Sequence, residues 1–333
     1  MCGRKHLIAV GVQRLLSQGV NVALTLNAGT RLLVVAPHPD DESIATGELI
    51  QQVRLAGGEV QILLLTNGDN NPWPQRWVER RVRIGSEERR RWGERRRSEV
   101  GEALTQLGVD AQALRPQGWP DMGVTARLRD ALDASLAILL DRLDDFSPTV
   151  VALPALGDRH PDHSAAHVLT RLAVARWGRQ APEMLSYLVH GHEVGTGGKV
   201  KLDSSVGLHA TKMAALACHR SQMALSGKRM RRLADRAERY QWTPGRSVTA
   251  DSAVLPWEPS PLLQRWLHLS LVDGQGVRQW SWREAPLAAD GQGRHVLHGL
   301  DPTVEGPRFV KLHMNVPSPW IFDRWGWCEL HAG

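Results

Sequence analysis

Between residues 31 and 225 the chain alternates short, continuous apolar runs with longer segments of helical spacing. Residues 32–36 form the first run, closed by Pro37; 61–65 and 149–153 repeat it, and 185–189 is a fourth candidate. Apolar runs of four or five residues, with no polar alternation, suit a strand buried on both faces. Residues 42–56 carry Ile44, Leu49 and Val53 at helical spacing and stop at Gly57 and Gly58, a strong helix terminus. Segments 87–107, 126–143, 164–177 and 210–223 read as further helices. Strands alternating with helices predict an α/β fold, a mostly parallel sheet with helices on both faces. After about Gly245 no long helix is evident, and seven of the 13 Trp fall from Trp257 onward among alternating stretches at 266–272, 277–282 and 309–314. The expected organisation is an N-terminal extension (1–30), an α/β domain (31–245) and a small Trp-rich β appendage (246–333), whose Trp faces suit either a glycan or an interface.

Composition excludes several classes. Hydrophobic residues make up 42% of the 333, enough for a sizeable core. No apolar run reaches about 18 residues, so no transmembrane helix is expected. The apolar stretch near the N-terminus breaks at Gln13 and Arg14, too short for a secretion signal. Cys2, Cys218 and Cys328 are far apart with no C-x-x-C, which argues against a disulfide framework and a cysteine zinc site. A cytoplasmic protein is the expectation, with a homo-oligomer left open.

Charge is concentrated. Residues 76–97 hold ten Arg against four Glu, with Trp73, Trp77 and Trp92 interleaved. Their excess of six equals the formal net charge of the whole chain, +6. Two readings stay open: a solvated helix with i,i+4 pairs, or an anion-facing lid using the bidentate Arg fork.

Two turns carry the chemistry. The first, Pro37-His38-Pro39-Asp40-Asp41-Glu42, sits at the carboxyl end of the first predicted strand, where open α/β sheets place their ligands. Its bland reading is a helix N-cap at Asp40 or Asp41. The second, Gly157-Asp158-Arg159-His160-Pro161-Asp162-His163, follows the strand at 149–153. A Pro opening a helix explains Pro161, but not two His around an Asp. If the two turns converge, His38, Asp41 and His163 supply two imidazoles and a carboxylate, and three protein ligands with an open position are the arrangement of a catalytic zinc site.

With these residues the chain resembles the LmbE-like (PIG-L) family of zinc-dependent N-acetylglucosaminyl deacetylases. The resemblance rests on Ala36–Glu42 (APHPDDE) and Arg159–His163 (RHPDH). Support comes from Thr66-Asn67-Gly68-Asp69, from Arg96 and Glu99 ahead of Leu107-Gly108, from Gly118-Trp119-Pro120-Asp121, and from Lys212 with His219-Arg220-Ser221-Gln222. Together these span about 31–225; the region after about 245 matches nothing in the family.

The resemblance implies a Rossmann-like deacetylase domain acting as a metal-dependent hydrolase. It implies His38, Asp41 and His163 as zinc ligands and Asp40 as general base. It implies His160 as oxyanion stabiliser or acid, and Asp162 as the carboxylate that orients a neighbouring His. Zinc-bound water would attack the N-acetyl group of an N-acetylglucosamine-containing glycoconjugate, releasing acetate and a free amine. Fe²⁺ or Mn²⁺ also suits a His₂Asp set. Asn67, Asp69, Arg96 and Asp121 are candidate substrate contacts, and an anionic substrate is expected if the Arg segment borders the pocket. Two alternatives remain: a hydrolase of another N-acyl amide, and a basic nucleic-acid-binding module. No nucleic-acid motif supports the latter, so no nucleic-acid partner is expected.

Overall fold

The computed structural model describes residues 24–191, 198–243, 250–314 and 324–330; most of the expected N-terminal extension, 1–23, lies outside them. In chain order the elements are β1 (Arg31–Ala36), α1 (Asp41–Leu55), β2 (Glu59–Thr66), α2 (Pro72–Glu79), α3 (Ser86–Gln106), β3 (Leu114–Trp119), α4 (Val124–Asp130), α5 (Leu132–Phe146), β4 (Val150–Pro154), α6 (Pro161–Trp177), β5 (Glu183–Tyr187), β6 (Lys199–Lys201), α7 (Val206–Cys218), α8 (Arg220–Ala234) and β7 (Arg239–Trp242). They continue with β8 (Ser252–Val254), α9 (Pro261–Gln264), β9 (Leu267–Asp273), β10 (Gly276–Ser281), β11 (Leu287–Ala289), β12 (His295–His298), β13 (Phe309–Met314) and β14 (Cys328–Glu329).

The chain divides into two compact units that interleave in sequence. The first takes Met1–Val124, Phe146–Ala155 and Pro182–Pro244; the second takes Thr125–Asp145, Leu156–Ala181 and Gly245–Gly333. The β-rich C-terminal region is present as expected, but it shares its unit with two earlier stretches of chain.

In the first unit a seven-stranded sheet runs in the order β3-β2-β1-β4-β5-β7-β6. β1 is parallel to β2 on one side and to β4 on the other, with Leu32 opposite Val60 and Val150. β5 continues the parallel set, and β7 pairs antiparallel with β5 and β6. The mostly parallel sheet read from the apolar runs is thus observed. Leu32, Val34 and Ala36 join Leu49, Ile50 and Val53 of α1, Val100 and Leu104 of α3 and Leu216 of α7 in one core. Leu33 and Val35, pointing the other way, are buried too, which is why β1 reads as an unbroken apolar run. From β1 the sheet grows outward through β2 and β3, and from β4 through β5. The strand order therefore reverses between β1 and β4, the position where such sheets open a ligand crevice.

Three local expectations change. The segment 126–143 is two helices, α4 and α5, rather than one. The segment 210–223 spans α7 and the start of α8, which meet at His219 with a non-helical ψ of 54°. β3 is a strand although its sequence, LRPQGW, is mostly polar: it lies at the edge of the sheet and is largely unburied, so no apolar run was needed to make it.

A buried carboxylate ties this unit together. Glu238 accepts hydrogen bonds from the backbone N–H groups of Glu48 and Leu49 in α1, at 2.8 and 3.0 Å, and from the Tyr240 hydroxyl of β7 at 2.8 Å. Lys212 Nζ of α7 lies 2.9 Å away, with both side chains almost wholly buried. Gly47 permits the approach, since a Cβ there would stand 2.9 Å from Lys212 Cγ.

In the second unit β10-β9-β13-β14 and β11-β12-β8 form two small sheets. Their core is Leu269, Leu271, Trp282, Leu297, Val310 and Leu312, with Trp257, Trp280 and Trp325 packed against it. Trp327 is also buried. Of the Trp described in this region, two are buried, three are half-buried against the core, and Trp266 is exposed. Arg171 of α6 makes a two-pronged ion pair with Glu329 of β14, at 2.8 and 3.2 Å, and so binds that helix to the β-rich region. Among the described residues no helix is long and apolar enough to cross a membrane.

Removing one partner of a buried ion pair strands the other charge. Lys212→Met is therefore expected to lower unfolding free energy by about 3–5 kcal/mol in urea titration. Adding Glu238→Gln should recover part of that loss.

Candidate metal centre and active site

In the first unit, β1 ends in the turn that starts α1. Asp40 occupies the N-cap position of α1, yet its side chain makes no capping hydrogen bond. The capping reading of Asp40 therefore fails, and its carboxylate is left for other work. Its backbone sits at φ 128°, a region that L residues rarely enter and that costs about 1–3 kcal/mol. The turn is pinned on every side. His38 N donates to Asp41 Oδ2 at 2.9 Å, and Asp40 N donates to Glu42 Oε2 at 3.0 Å. Arg96, reaching in from α3, donates to Pro39 O at 2.6 Å, to Gly68 O, and to Asp40 Oδ2 at 3.2 Å. Gly68 has φ +59°, and a Cβ there would fall on the Arg96 guanidinium. Burial raises the Asp40 carboxyl to about 6 despite the opposing Arg96 charge, with Asp41 adding to the rise.

His38 faces two carboxylates: Nδ1 lies 3.4 Å from Asp41 Oδ2, and Nε2 lies 3.3 Å from Asp121 Oδ1. Burial would raise Asp121, but the His38 ring and the Asn70 N–H outweigh it and hold its pKa at about 2. Behind the turn, Glu42 and His219 form a buried pair at 2.9 Å. Burial opposes both charges, yet the pairing lowers Glu42 and raises His219.

In the second unit, Asp158 orders the other turn. One of its oxygens accepts from His160 N at 2.9 Å, and the other lies 3.1 Å from His163 Nδ1. His163 and Asp158 are both fully buried. His160 is the N-cap of α6, and its Nδ1 accepts from Asp162 N at 3.2 Å. The His160 and His163 rings lie 5.1 Å apart, centre to centre. Donor atoms of His38 and Asp121 in the first unit approach within 4.8 Å, as do those of His160 and His163 in the second. Each unit thus brings together His and Asp side chains of the kind that hold a metal.

The first unit gathers His38, Asp40, Asp41, Arg96 and Asp121, with Asn67 and Asp69 on the turn after β2. Asn67 Oδ1 is buried with no hydrogen-bond partner among the described residues, and burial raises Asp69. Arg96, expected among the substrate contacts, is only 5% exposed. Its guanidinium is engaged inside the fold, so it positions Asp40. Asp162 donates its backbone N–H to His160, and the Asp158 carboxylate lies beside His163 Nδ1. Its place two residues before His160 was the available signal. The Glu42–His219 pair had none, because 177 residues separate its members.

The family model described as PIG-L, GlcNAc-PI de-N-acetylase, matches residues 33–174. A 1D-myo-inositol 2-acetamido-2-deoxy-alpha-D-glucopyranoside deacetylase of Saccharomonospora viridis is 30% identical over 184 residues, 51% of this chain and 67% of that protein. The chain belongs to the PIG-L family. A PIG-L relative with the same description in Mycobacterium sp. (strain KMS) is 34% identical over 188 residues, 53% of this chain. The chain spans about 60% of that relative's length. A solved deacetylase triple mutant of the teicoplanin biosynthetic pathway shares the fold, with a TM-score of 0.51 and 22% identity over 64% of this chain and 97% of the other.

The strain at Asp40 is directly measurable. Asp40→Gly, which accepts positive φ freely, is expected to be more stable than Asp40→Ala, which equally lacks the partner of Arg96, by about 1 kcal/mol in chemical denaturation.

Proposed function

We propose that the chain is a metal-dependent N-deacetylase that frees acetate and an amine from a small glycoconjugate containing N-acetylglucosamine. One observation carries the reading: Asp40 is half-buried, uncapped, held in a strained backbone and raised to about 6, directly beside His38 and Asp41. Strain of this kind persists at functional sites, and a carboxyl near neutrality suits a general base. Family membership and the sugar substrate named for its relatives support the same reaction class.

His38, Asp41 and His163 would hold the metal. The donor set fits: Asp158 takes up Nδ1 of His163, which fixes the ring and leaves Nε2 as the coordinating nitrogen. β1 and β4, the strands that precede the two motifs in sequence, are parallel neighbours in the first unit. Zinc is the first choice, with Fe²⁺ or Mn²⁺ as alternatives. A divalent ion there acidifies water and polarises the acyl oxygen of an amide.

The chain's own groups do the rest. The Asp40 carboxylate takes the proton of the attacking water as the C–O bond forms. It then delivers that proton to the amine nitrogen as the C–N bond breaks. Arg96 keeps the carboxylate in place and ionised often enough to accept a proton. Because His160 Nδ1 already accepts the Asp162 N–H, a neutral ring carries its hydrogen on Nε2, which donates to the oxyanion. Asp121 and Asn67 are the candidate partners for sugar hydroxyls.

The test is acetate release from N-acetylglucosaminyl-inositol and a panel of other N-acetylhexosamine conjugates, with metal content measured in parallel. Asp40→Asn should keep its metal and lose about 10²–10⁴-fold in kcat; full turnover in that variant would sink the mechanism. Asp158→Asn should bind metal about 10–100-fold more weakly. Chelation should abolish activity, and re-added zinc should restore it.

A further inference from the structure

The first unit also carries an exposed surface that hydrolysis of a sugar amide does not use. On α2, Trp73 and Trp77 stand one helical turn apart and are 64% and 67% exposed. Val82, just past the left-handed residue Arg80 that ends this helix, is 84% exposed. Arg76 lies between the two Trp, its guanidinium 4.9 Å from the Trp73 ring centre. Arg80 and Arg83 have no carboxylate partner among the described residues, whereas Arg81 pairs with Glu88.

α8 packs against α2 and adds a second basic concentration. Its sequence, RSQMALSGKRMRRLA, has five cations and no acid. Arg220 is taken by Glu102. Lys228, Arg231 and Arg232 are exposed and have no carboxylate partner among the described residues. Leu225 on the same helix is 50% exposed. The even charge balance outside 76–97 averages over this helix and conceals it.

We infer that α2 and α8 form a docking surface for an anionic lipid bilayer. Trp side chains settle at the headgroup level of a bilayer, where an apolar ring and a polar N–H are both accommodated. Exposed Lys and Arg near a negatively charged leaflet each strengthen attachment about fivefold. The pairing of open aromatic and aliphatic side chains with unneutralised cations matches that environment. A nucleic acid would use the cations and could stack on Trp, but it has no use for Val82 and Leu225. The proposal is independent of the deacetylase reading, because its test needs no turnover.

The experiment is flotation of the full chain with vesicles of phosphatidylcholine, with and without phosphatidylglycerol. The protein should float with the anionic vesicles, remain behind with the neutral ones, and detach as salt rises. Brominated acyl chains should quench its Trp emission, and Trp73→Ala with Trp77→Ala should remove that quenching. Lys228→Gln with Arg232→Gln should weaken attachment about 25-fold, at roughly fivefold per charge. All four side chains are exposed, so folding is checked by unchanged circular dichroism and unfolding midpoint. Equal binding to neutral vesicles, no binding to anionic vesicles at low salt, or binding untouched by both double variants overturns the proposal. So does tighter binding to RNA or DNA that displaces the chain from the vesicles.

Discussion

The parallel pairing of β1 with β4 is the constraint on which the rest depends. The two strands are neighbours in the sheet, although more than 110 residues separate them in sequence. Their side chains are buried on both faces, and a one-residue slip would turn every one of them over. The register is therefore fixed by packing, and with it the level at which each strand ends. Every residue given a chemical role sits on a turn that leaves a strand end or on a helix that braces such a turn. The strand order reverses between β1 and β4, the position at which open α/β sheets place their ligands.

The second dependence is electrostatic. A turn with three acids in succession, Asp40, Asp41 and Glu42, would repel itself if each were left bare in a dry environment. Each has its own answer: Arg96 for Asp40, His38 N–H for Asp41 and His219 for Glu42. The helix N-terminus adds a favourable field. Unequal partners then separate the three. Glu42 is held ionised, while burial leaves Asp40 raised to about 6. Three like groups in adjacent positions thereby acquire different duties.

Legibility in the sequence followed the range of the interactions. β1, α1 and both turns could be read because an apolar run, a helical period or a Pro beside an acid is a local signal. His219 matched a family stretch, but its partner Glu42 could not be seen, since only the tertiary fold brings α7, α8 and α1 together. The inward turn of Arg96 was hidden for a related reason. In a run of ten Arg nothing local separates the one that turns inward from those that face water. β3 escaped because an edge strand tolerates Arg, Pro and Gln. The Trp of the C-terminal region were countable, but whether an indole faces solvent or a core depends on the sheets that close over it: Trp282 and Trp327 are buried, while Trp266 stays exposed.

The interleaving of the two compact units has a consequence for how the molecule can be taken apart. The chain passes between them five times, at 124, 145, 155, 181 and 244. A cut near 245 would look natural on a linear diagram, yet it would not release a free-standing cassette. It would take α6 away from Glu329 and leave that glutamate without Arg171. The segment that bears His160 and His163 belongs to the same unit as the Trp-rich strands, so the larger fragment does not inherit it as a finished part. In engineering terms the protein has no seam at the place where its composition changes; a fusion, a transplant or a minimal version must carry both units whole.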